Sequence, residues 1–148
     1  MMTAPTTARN ARDLMHEGCE CIDSTESVAT AAAKMRSMDV GILPVCGQDG
    51  KIAGMITDRD IVVECVAQGR DLTTCLTGEL ATGRPVYVDA GAPVEDVLRT
   101  MEQHQVRRVP VIEDHRLVGM ISEADLTRGL TDEQMAEFCR SVYAGGHH

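Results

Sequence analysis

The sequence predicts a mixed fold of the α/β (α+β) class, made of two tandem β-α-β-β-α repeats packed with pseudo-twofold symmetry and one further helix at the C terminus. Three observations lead to this prediction. The chain matches itself at a fixed offset, each half shows the same order of strand and helix patterns, and a helical pattern continues beyond the second half. A single unit of this kind would leave an apolar face exposed, so we expect the two copies to pack together.

The internal match extends over the whole repeat and defines its boundaries. Leu14 aligns with Leu80 at an offset of 66 residues, and Asp60 aligns with Asp125 at 65 after one residue is lost in a turn. We therefore expect a flexible N terminus at 1–11, a first repeat at 12–68, a linker at 69–77, a second repeat at 78–130, a C-terminal helix at 131–144 and a flexible tail at 145–148.

Apolar runs and helical spacing predict the elements of each repeat in order. The expected strands are Cys19–Ile22, Ile42–Cys46 and Ile52–Ile56 in the first repeat, and Pro85–Val88, Arg108–Ile112 and Leu117–Ile121 in the second. Apolar residues at helical spacing predict helices over Val28–Met38 and Val94–Met101, with further helices that begin at Asp58 and Glu123 and a last one over Asp132–Tyr143.

Charge and aromatic content argue against a nucleic-acid partner. The chain of 148 residues has 14 Lys and Arg against 23 Asp and Glu, which gives a formal net charge of −9. Binding to DNA or RNA needs a basic surface that neutralises phosphates. One Phe, two Tyr and no Trp are too few aromatic residues for a platform that stacks bases.

No targeting or membrane signal is evident in the sequence. Residues 1–7 lack the apolar stretch of a secretory signal, and no run approaches the ~18 apolar residues of a membrane span. We therefore expect a cytoplasmic protein with no membrane partner, whose six cysteines are first interpreted as reduced thiols.

Metal and catalytic motifs are weak or missing. Cys19 and Cys21, with His16 and Cys46, imitate a metal cluster. A single intervening residue, however, places two thiols on opposite faces of a strand, and zinc sites generally use wider cysteine spacing with a second pair. We find no Ser-His-Asp order, nucleophile elbow or Walker loop. We expect neither a metal site nor an enzyme.

The segments Gly54–Asp60 and Gly119–Asp125 carry the pattern with most chemical content. In both, an apolar strand runs into a hydroxyl residue, Thr57 or Ser122, and a carboxylate follows three positions later. This is the pattern of a helix-capping box, in which the hydroxyl accepts a hydrogen bond from a free backbone N–H. In a functional interpretation, the carboxylate accepts both hydrogens of a ribose diol. The two interpretations are compatible, because the hydroxyl can cap the helix while the carboxylate faces a ligand.

The duplicated unit resembles a pair of CBS domains, also called a Bateman module. The resemblance rests on Leu43-Pro44-Val45 and Val109-Pro110-Val111, each followed by the strand–helix junction described above. It extends from Arg12 to about Gly129, so we expect no second catalytic or DNA-binding domain.

The resemblance implies an adenosine-type ligand, namely AMP, ADP, ATP or S-adenosylmethionine, held in clefts between the repeats, and no required cofactor. Asp60 and Asp125 would hold ribose hydroxyls, with Thr57 and Ser122 near phosphate or sugar. The adenine would be lined by Glu20, Cys21 and Ile22, by Val86, Tyr87 and Val88, and by Ile42 and Val109.

The resemblance also assigns basic residues to the clefts. Arg59 would reach a phosphate, whereas its counterpart Ala124 would not. Arg107 and Arg108 are adjacent on a strand, so one should face the cleft and the other should face away. The two clefts are therefore chemically unequal, which leaves binding in one cleft or in both open.

The family resemblance favours a non-catalytic regulatory module that forms a homodimer, senses an adenine nucleotide and acts on an unknown protein partner. Two alternatives remain open. One is a ligand-free interaction module in stress or dormancy. The other is a thiol redox sensor, because the strands that carry Cys21 and Cys46 are neighbours in CBS domains. A disulfide between these cysteines and a pair of reduced core thiols are both compatible with that placement.

Overall fold

The computed structural model describes residues 8–18, 20–81 and 86–144 of the chain. Their packing forms two compact units. The first-repeat unit consists of residues 20–81 and 115–117, and the second-repeat unit consists of residues 8–18, 86–114 and 118–144. The chain contains two three-stranded sheets with their helices, which confirms the predicted mixed fold class.

The elements follow the order expected from the two repeats. In the chain they are α1 (Ala11–Leu14), β1 (Ile22–Asp23), α2 (Val28–Met38), β2 (Ile42–Cys46), β3 (Ile52–Thr57), α3 (Asp58–Ile61) with a π-helical continuation (Val62–Val66), α4 (Thr77–Leu80), β4 (Val88–Asp89), α5 (Val94–His104), β5 (Arg108–Glu113), β6 (Arg116–Ser122), α6 (Glu123–Gly129) and α7 (Asp132–Ala144). None of these helices, within the part of the chain described, is long and apolar enough to cross a membrane.

The sheet of the first-repeat unit has the order β1-β2-β3. β2 runs parallel to β1, where Ile22 faces Val45, and antiparallel to β3. The β2–β3 turn closes at Gly50, whose φ of +79° is a conformation that glycine adopts without strain. The core beneath the sheet is aliphatic and is formed mainly by Ile22, Val28, Ala31, Met35, Leu43, Val45, Ile56 and Ile61.

The second-repeat unit repeats this sheet with the order β4-β5-β6. β4 is parallel to β5, and Val88 faces Val111. Its core contains Phe138 of α7, which has no exposed surface, together with Val94, Val97, Met101, Val109, Val111, Ile121 and Leu126. The C-terminal helix is thus an integral part of this unit.

The segment at the start of each repeat packs within the unit of the other repeat. α1 contacts α6, and Ala8 and Ala11 are buried among second-repeat residues. α4, at the boundary between the expected linker and the second repeat, contacts β3, and the hydroxyl of Thr77 donates to the carbonyl of Asp23 at 2.8 Å. Residues 8–11 are therefore packed, in contrast to the expected flexible N terminus. Residues 1–7 and the tail at 145–148 lie outside the described residues.

The first strand of each repeat is shorter than the apolar pattern predicts. β1 and β4 each contain two residues, and each pairs with only two residues of its neighbour. Cys19 and Pro85, where the predicted strands begin, lie outside the described residues. The described residues just before Ile22 and Val88 are not paired with a neighbouring strand. Their apolar pattern therefore does not reflect sheet pairing.

Candidate functional site

The strand–helix junction of the first repeat is closed by reciprocal hydrogen bonds. The Asp60 N–H donates to Thr57 Oγ1 at 3.0 Å, and the Thr57 N–H donates to Asp60 Oδ2 at 2.9 Å. This capping box explains why β3 passes directly into α3 at Thr57. Among the described residues, the second carboxylate oxygen of Asp60 (Oδ1) accepts no hydrogen bond, and the side chain is half-buried. Within the described part of the chain, Asp60 therefore caps the helix with one oxygen and keeps the other free.

The equivalent carboxylate of the second repeat is buried and has partners on both oxygens. Asp125 Oδ2 accepts from the N–H and the hydroxyl of Ser122, at 2.8 and 3.0 Å, and lies 2.6 Å from Nδ1 of His16. Oδ1 forms an ion pair with Arg128. An ionised carboxylate only accepts hydrogen bonds, so the Nδ1 of His16 carries the proton in this contact.

Main-chain pairing holds His16 beside Asp125. The N–H of His16 donates to the carbonyl of Met120 at 2.9 Å, and the N–H of Met120 donates to the carbonyl of His16 at 3.0 Å. Gly119 permits this approach, because a Cβ there would overlap the Met15 sulfur and lie 3.0 Å from the carbonyl oxygen of His16. The N-terminal segment is therefore bonded to β6 at the site.

The arginines expected near a ligand are all exposed. Arg107 donates to the Tyr143 hydroxyl at 3.4 Å, with its guanidinium carbon 5.8 Å from the centre of the ring. The hydrogen bond with Tyr143 raises the pKa of Arg107 above its ordinary value. The same hydroxyl donates to Glu123, so the C-terminal helix holds Arg107 in a small polar cluster. Arg59 and Arg108 form no ion pair with any described residue.

The side chains assigned to the adenine divide into two groups. Ile22, Val88 and Val109 are buried in the hydrophobic cores of their units, so these side chains serve packing and only their backbone is left to meet a ligand. The others retain exposed surface: Glu20 and Tyr87 are exposed, and Cys21, Ile42 and Val86 are partly buried.

Cys21 and Cys46 are joined by a disulfide, with their Cα atoms 5.9 Å apart. The parallel register of β1 and β2 explains this bond. Asp23 faces Cys46, and Cys21 lies two residues before Asp23, so Cys21 is a diagonal neighbour of Cys46. Cys65 and Cys75 are buried free thiols, and burial raises the pKa of Cys75. Within the described ranges, no group of three or more His, Cys, Asp and Glu side chains is arranged to hold a metal ion.

The sequence match to known families agrees with the geometry of the duplicated junction. The family model of the CBS domain matches residues 11–66 and again residues 78–132. The chain belongs to the CBS domain family. It is a CBS pair, because each repeat with its strand–helix junction corresponds to one match.

Two known proteins with a CBS pair are similar to this one. Hypoxic response protein 1 of Mycobacterium tuberculosis is 47% identical over 132 residues, which cover 89% of this chain and 92% of the relative. A crystal structure of hypoxic response protein I with two coordinated zinc ions superimposes with a TM-score of 0.77 at 50% identity, over 82% of this chain and 99% of that one. These matches confirm the predicted CBS pair.

A third similar structure contains adenosyl ligands. The CBS domain pair of protein MJ0100, in complex with 5′-methylthioadenosine and S-adenosyl-L-methionine, superimposes with a TM-score of 0.68 at 26% identity. The match covers 80% of this CBS pair and 93% of that chain.

Sequence reasoning did not identify the residues that surround the second carboxylate of this CBS pair. Arg128 lies three positions after Asp125 on a helix, so helical spacing was sufficient to predict their ion pair. His16 is separated from Asp125 by 109 residues and Tyr143 from Arg107 by 36, and no local pattern indicates either contact.

Proposed function

We propose that this CBS pair is a non-catalytic regulatory module that binds an adenosine-type ligand, AMP, ADP, ATP or S-adenosylmethionine. We further propose that it acts as a homodimer in the cytoplasm on a protein partner. The observation that carries the proposal is the carboxylate of Asp60, which caps a helix with one oxygen and leaves the other free among the described residues. A ribose diol presents two hydroxyl donors, and a carboxylate oxygen with open lone pairs is a suitable acceptor.

The mechanism is a shift between conformations that are already populated. A ligand that binds one arrangement of the CBS pair more tightly than another increases the population of the first. The partner then binds the favoured arrangement. S-adenosyl-L-methionine bound to the pair of protein MJ0100 supports this ligand class.

Exposed apolar residues on the first repeat support self-association. Val62 and Val66 of the π-helical continuation are 56% and 55% exposed, and Val63 beside them is 38% exposed. Clustered aliphatic side chains of this kind favour burial against another protein surface. A second copy of the chain is the occupant that we propose.

Isothermal titration with AMP, ATP and S-adenosylmethionine tests ligand binding. We expect saturable heat and a raised melting temperature with at least one of them, and no effect of ribose 5-phosphate, which lacks the base. The double variant Asp60→Asn with Asp125→Asn removes the charge at both ribose positions, so binding should weaken by about tenfold or more. The exposed turn variant Asp114→Asn is the control and should bind as the parent protein does. The absence of both heat and a thermal shift at millimolar ligand would refute the proposal.

The disulfide between Cys21 and Cys46 supports a second candidate function, that of a thiol redox sensor. A dithiol donor would supply two electrons and two protons, converting the disulfide into two thiols and becoming a disulfide itself. The bond closes a loop with a sequence separation of 25, so its reduction should cost about 3 kcal/mol of stability.

Intact mass after alkylation of free thiols tests this candidate. The protein prepared without reductant and alkylated in denaturant, which exposes the buried thiols of Cys65 and Cys75, should retain two unmodified cysteines. Treatment with dithiothreitol should make both of these available for alkylation. The variant Cys139→Ser keeps the disulfide and serves as a control for alkylation of an unrelated cysteine. If all six cysteines are alkylated without reductant, the redox function is refuted.

A further inference from the structure

We propose that His16 and Arg128 withdraw Asp125 from ligand binding, so that the chain takes one adenosine-type ligand, through Asp60. The inference rests on the proposed function and assigns that function to one of two sequence-equivalent carboxylates. His16 acts as a positioning residue, supplied by the segment at the start of the first repeat, and it keeps the second carboxylate engaged.

Both carboxylate oxygens of Asp125 already have partners. Its Oδ2 receives three donors, from the N–H and the hydroxyl of Ser122 and from His16, and its Oδ1 is paired with Arg128. Each carboxylate oxygen provides about two lone-pair positions, so Oδ2 is saturated and Oδ1 keeps one position beside Arg128. A ribose diol that donates both of its hydroxyls to Asp125 must therefore displace one of these partners.

Access to Asp125 is also restricted. Its side chain is 2% exposed, whereas that of His16 beside it is 44% exposed. Next to Asp125 the N-terminal segment leaves a cavity of about 150 Å³, which is bordered by Asp13 and Met15. Ligand pockets usually measure about 300–1,000 Å³, so this cavity is smaller than a typical ligand pocket.

The first repeat has different residues at the equivalent positions. The repeat offset places Val63 at the position of Arg128, and Thr82, which lies outside the described residues, at the position of His16. The isopropyl group of Val63 cannot donate a hydrogen bond, and a threonine hydroxyl carries no positive charge. The first repeat therefore has neither the arginine nor the histidine that holds Asp125, and Oδ1 of Asp60 accepts from no described residue.

Calorimetric titration with AMP distinguishes the two carboxylates. We expect the parent protein to bind one AMP per chain. Asp60→Asn should weaken binding by about tenfold or more, whereas Asp125→Asn should change it by less than about twofold. The double variant His16→Ala with Arg128→Ala should expose the second carboxylate and raise the stoichiometry to two AMP per chain.

A gain of stoichiometry is a result that loss of packing alone does not produce. His104→Ala is the matched control, because this exposed histidine of the same unit makes its side-chain hydrogen bond to the carbonyl of Thr100, away from Asp125. It should leave the stoichiometry at one. Circular dichroism checks that each variant is folded, and the opened double variant tests the inference even where Asp125→Asn is destabilised.

The titrations distinguish failure of this inference from failure of the proposed function. Two AMP per chain in the parent protein, or affinity that depends on Asp125 and not on Asp60, would overturn this inference and leave the proposed function intact. A stoichiometry that stays at one in the double variant would show that His16 and Arg128 close no site. No binding of AMP, ADP, ATP or S-adenosylmethionine to any of these proteins would overturn both proposals.

Discussion

Asp60 and Asp125 occupy the same position in two copies of one motif, but the side chains around them differ. In the first copy one carboxylate oxygen caps the helix and the other has no partner among the described residues, whereas in the second copy His16 adds a donor to the capping oxygen and Arg128 pairs with the other. The motif therefore predicts a helix cap in both repeats. The chemistry available to each carboxylate depends on residues outside the motif.

The charge of Glu102 lowers the stability of the folded protein at neutral pH. It borders a groove of about 510 Å³ between α5 and α7, and burial together with the nearby charge of Glu137 raises its pKa. A carboxyl group whose pKa is higher in the folded protein binds more protons there than in the unfolded chain. Stability from this group is therefore present at low pH and is lost as the pH rises through the folded pKa.

We predict that Glu102→Gln stabilises the protein at pH 7, by about 0.5 kcal/mol because the site is partly solvated. The difference should vanish near pH 3.5, where Glu102 is largely protonated in both states. Urea unfolding at the two pH values measures the change. Equal stabilisation at both values would show that packing of the amide, and not removal of charge, is responsible.

Two glycines allow the third strand of each repeat to pack against the segment at the start of the other repeat. A Cβ at Gly119 would meet Met15 and the carbonyl oxygen of His16, and a Cβ at Gly54 would lie 2.9 Å from the carbonyl oxygen of Ala81. In each repeat the third strand thus accommodates a main-chain segment at a distance that only glycine allows. The duplicated glycine is explained by this close approach.

We predict that Gly119→Ala lowers the free energy of unfolding by about 1–3 kcal/mol, because the N-terminal segment must move away from β6. Gly91→Ala is the matched control, since nothing lies within 4 Å of the Cβ that it would add. Thermal unfolding of the two variants gives the comparison. A Gly119→Ala protein as stable as Gly91→Ala would contradict the close packing of the segment.

The segment at the start of each repeat stabilises the unit of the other repeat. Leu14 is 3% exposed and belongs to the core of the second repeat, although it lies at the start of the first repeat in the chain. Its counterpart Leu80 packs against the core of the first repeat. A substitution in either segment should therefore affect the repeat that is more distant in sequence.

We predict that Leu14→Ala destabilises the second-repeat unit by about 2–5 kcal/mol, the usual cost of a cavity in a core. Amide hydrogen exchange should show lost protection in β5 and β6, with smaller changes in β2 and β3. Leu80→Ala is the matched variant and should give the reverse pattern. Lost protection in β2 and β3 after Leu14→Ala would refute this assignment of the segments.

Sequence periodicity predicted the order of elements and most of their bounds. β2 runs from Ile42 to Cys46 as expected, and α7 extends one residue beyond the predicted helix. The periodic pattern is local, so it can be interpreted from neighbouring residues alone. The first strand of each repeat was less predictable, because its length is set by the two partner residues that it pairs with and not by its own apolar run.

The sequence by itself determined the duplication, the mixed fold class and the positions of the two carboxylates, because repetition and hydrophobic period are properties of residue order. Tertiary structure alone decided that Ala8 and Leu14 pack with the second repeat and that His16 reaches Asp125 across 109 residues. A contact of that sequence separation depends on how the chain folds back on itself. Consequently, two equivalent motifs acquire different surroundings, and Asp60 retains a free oxygen among the described residues while Asp125 does not.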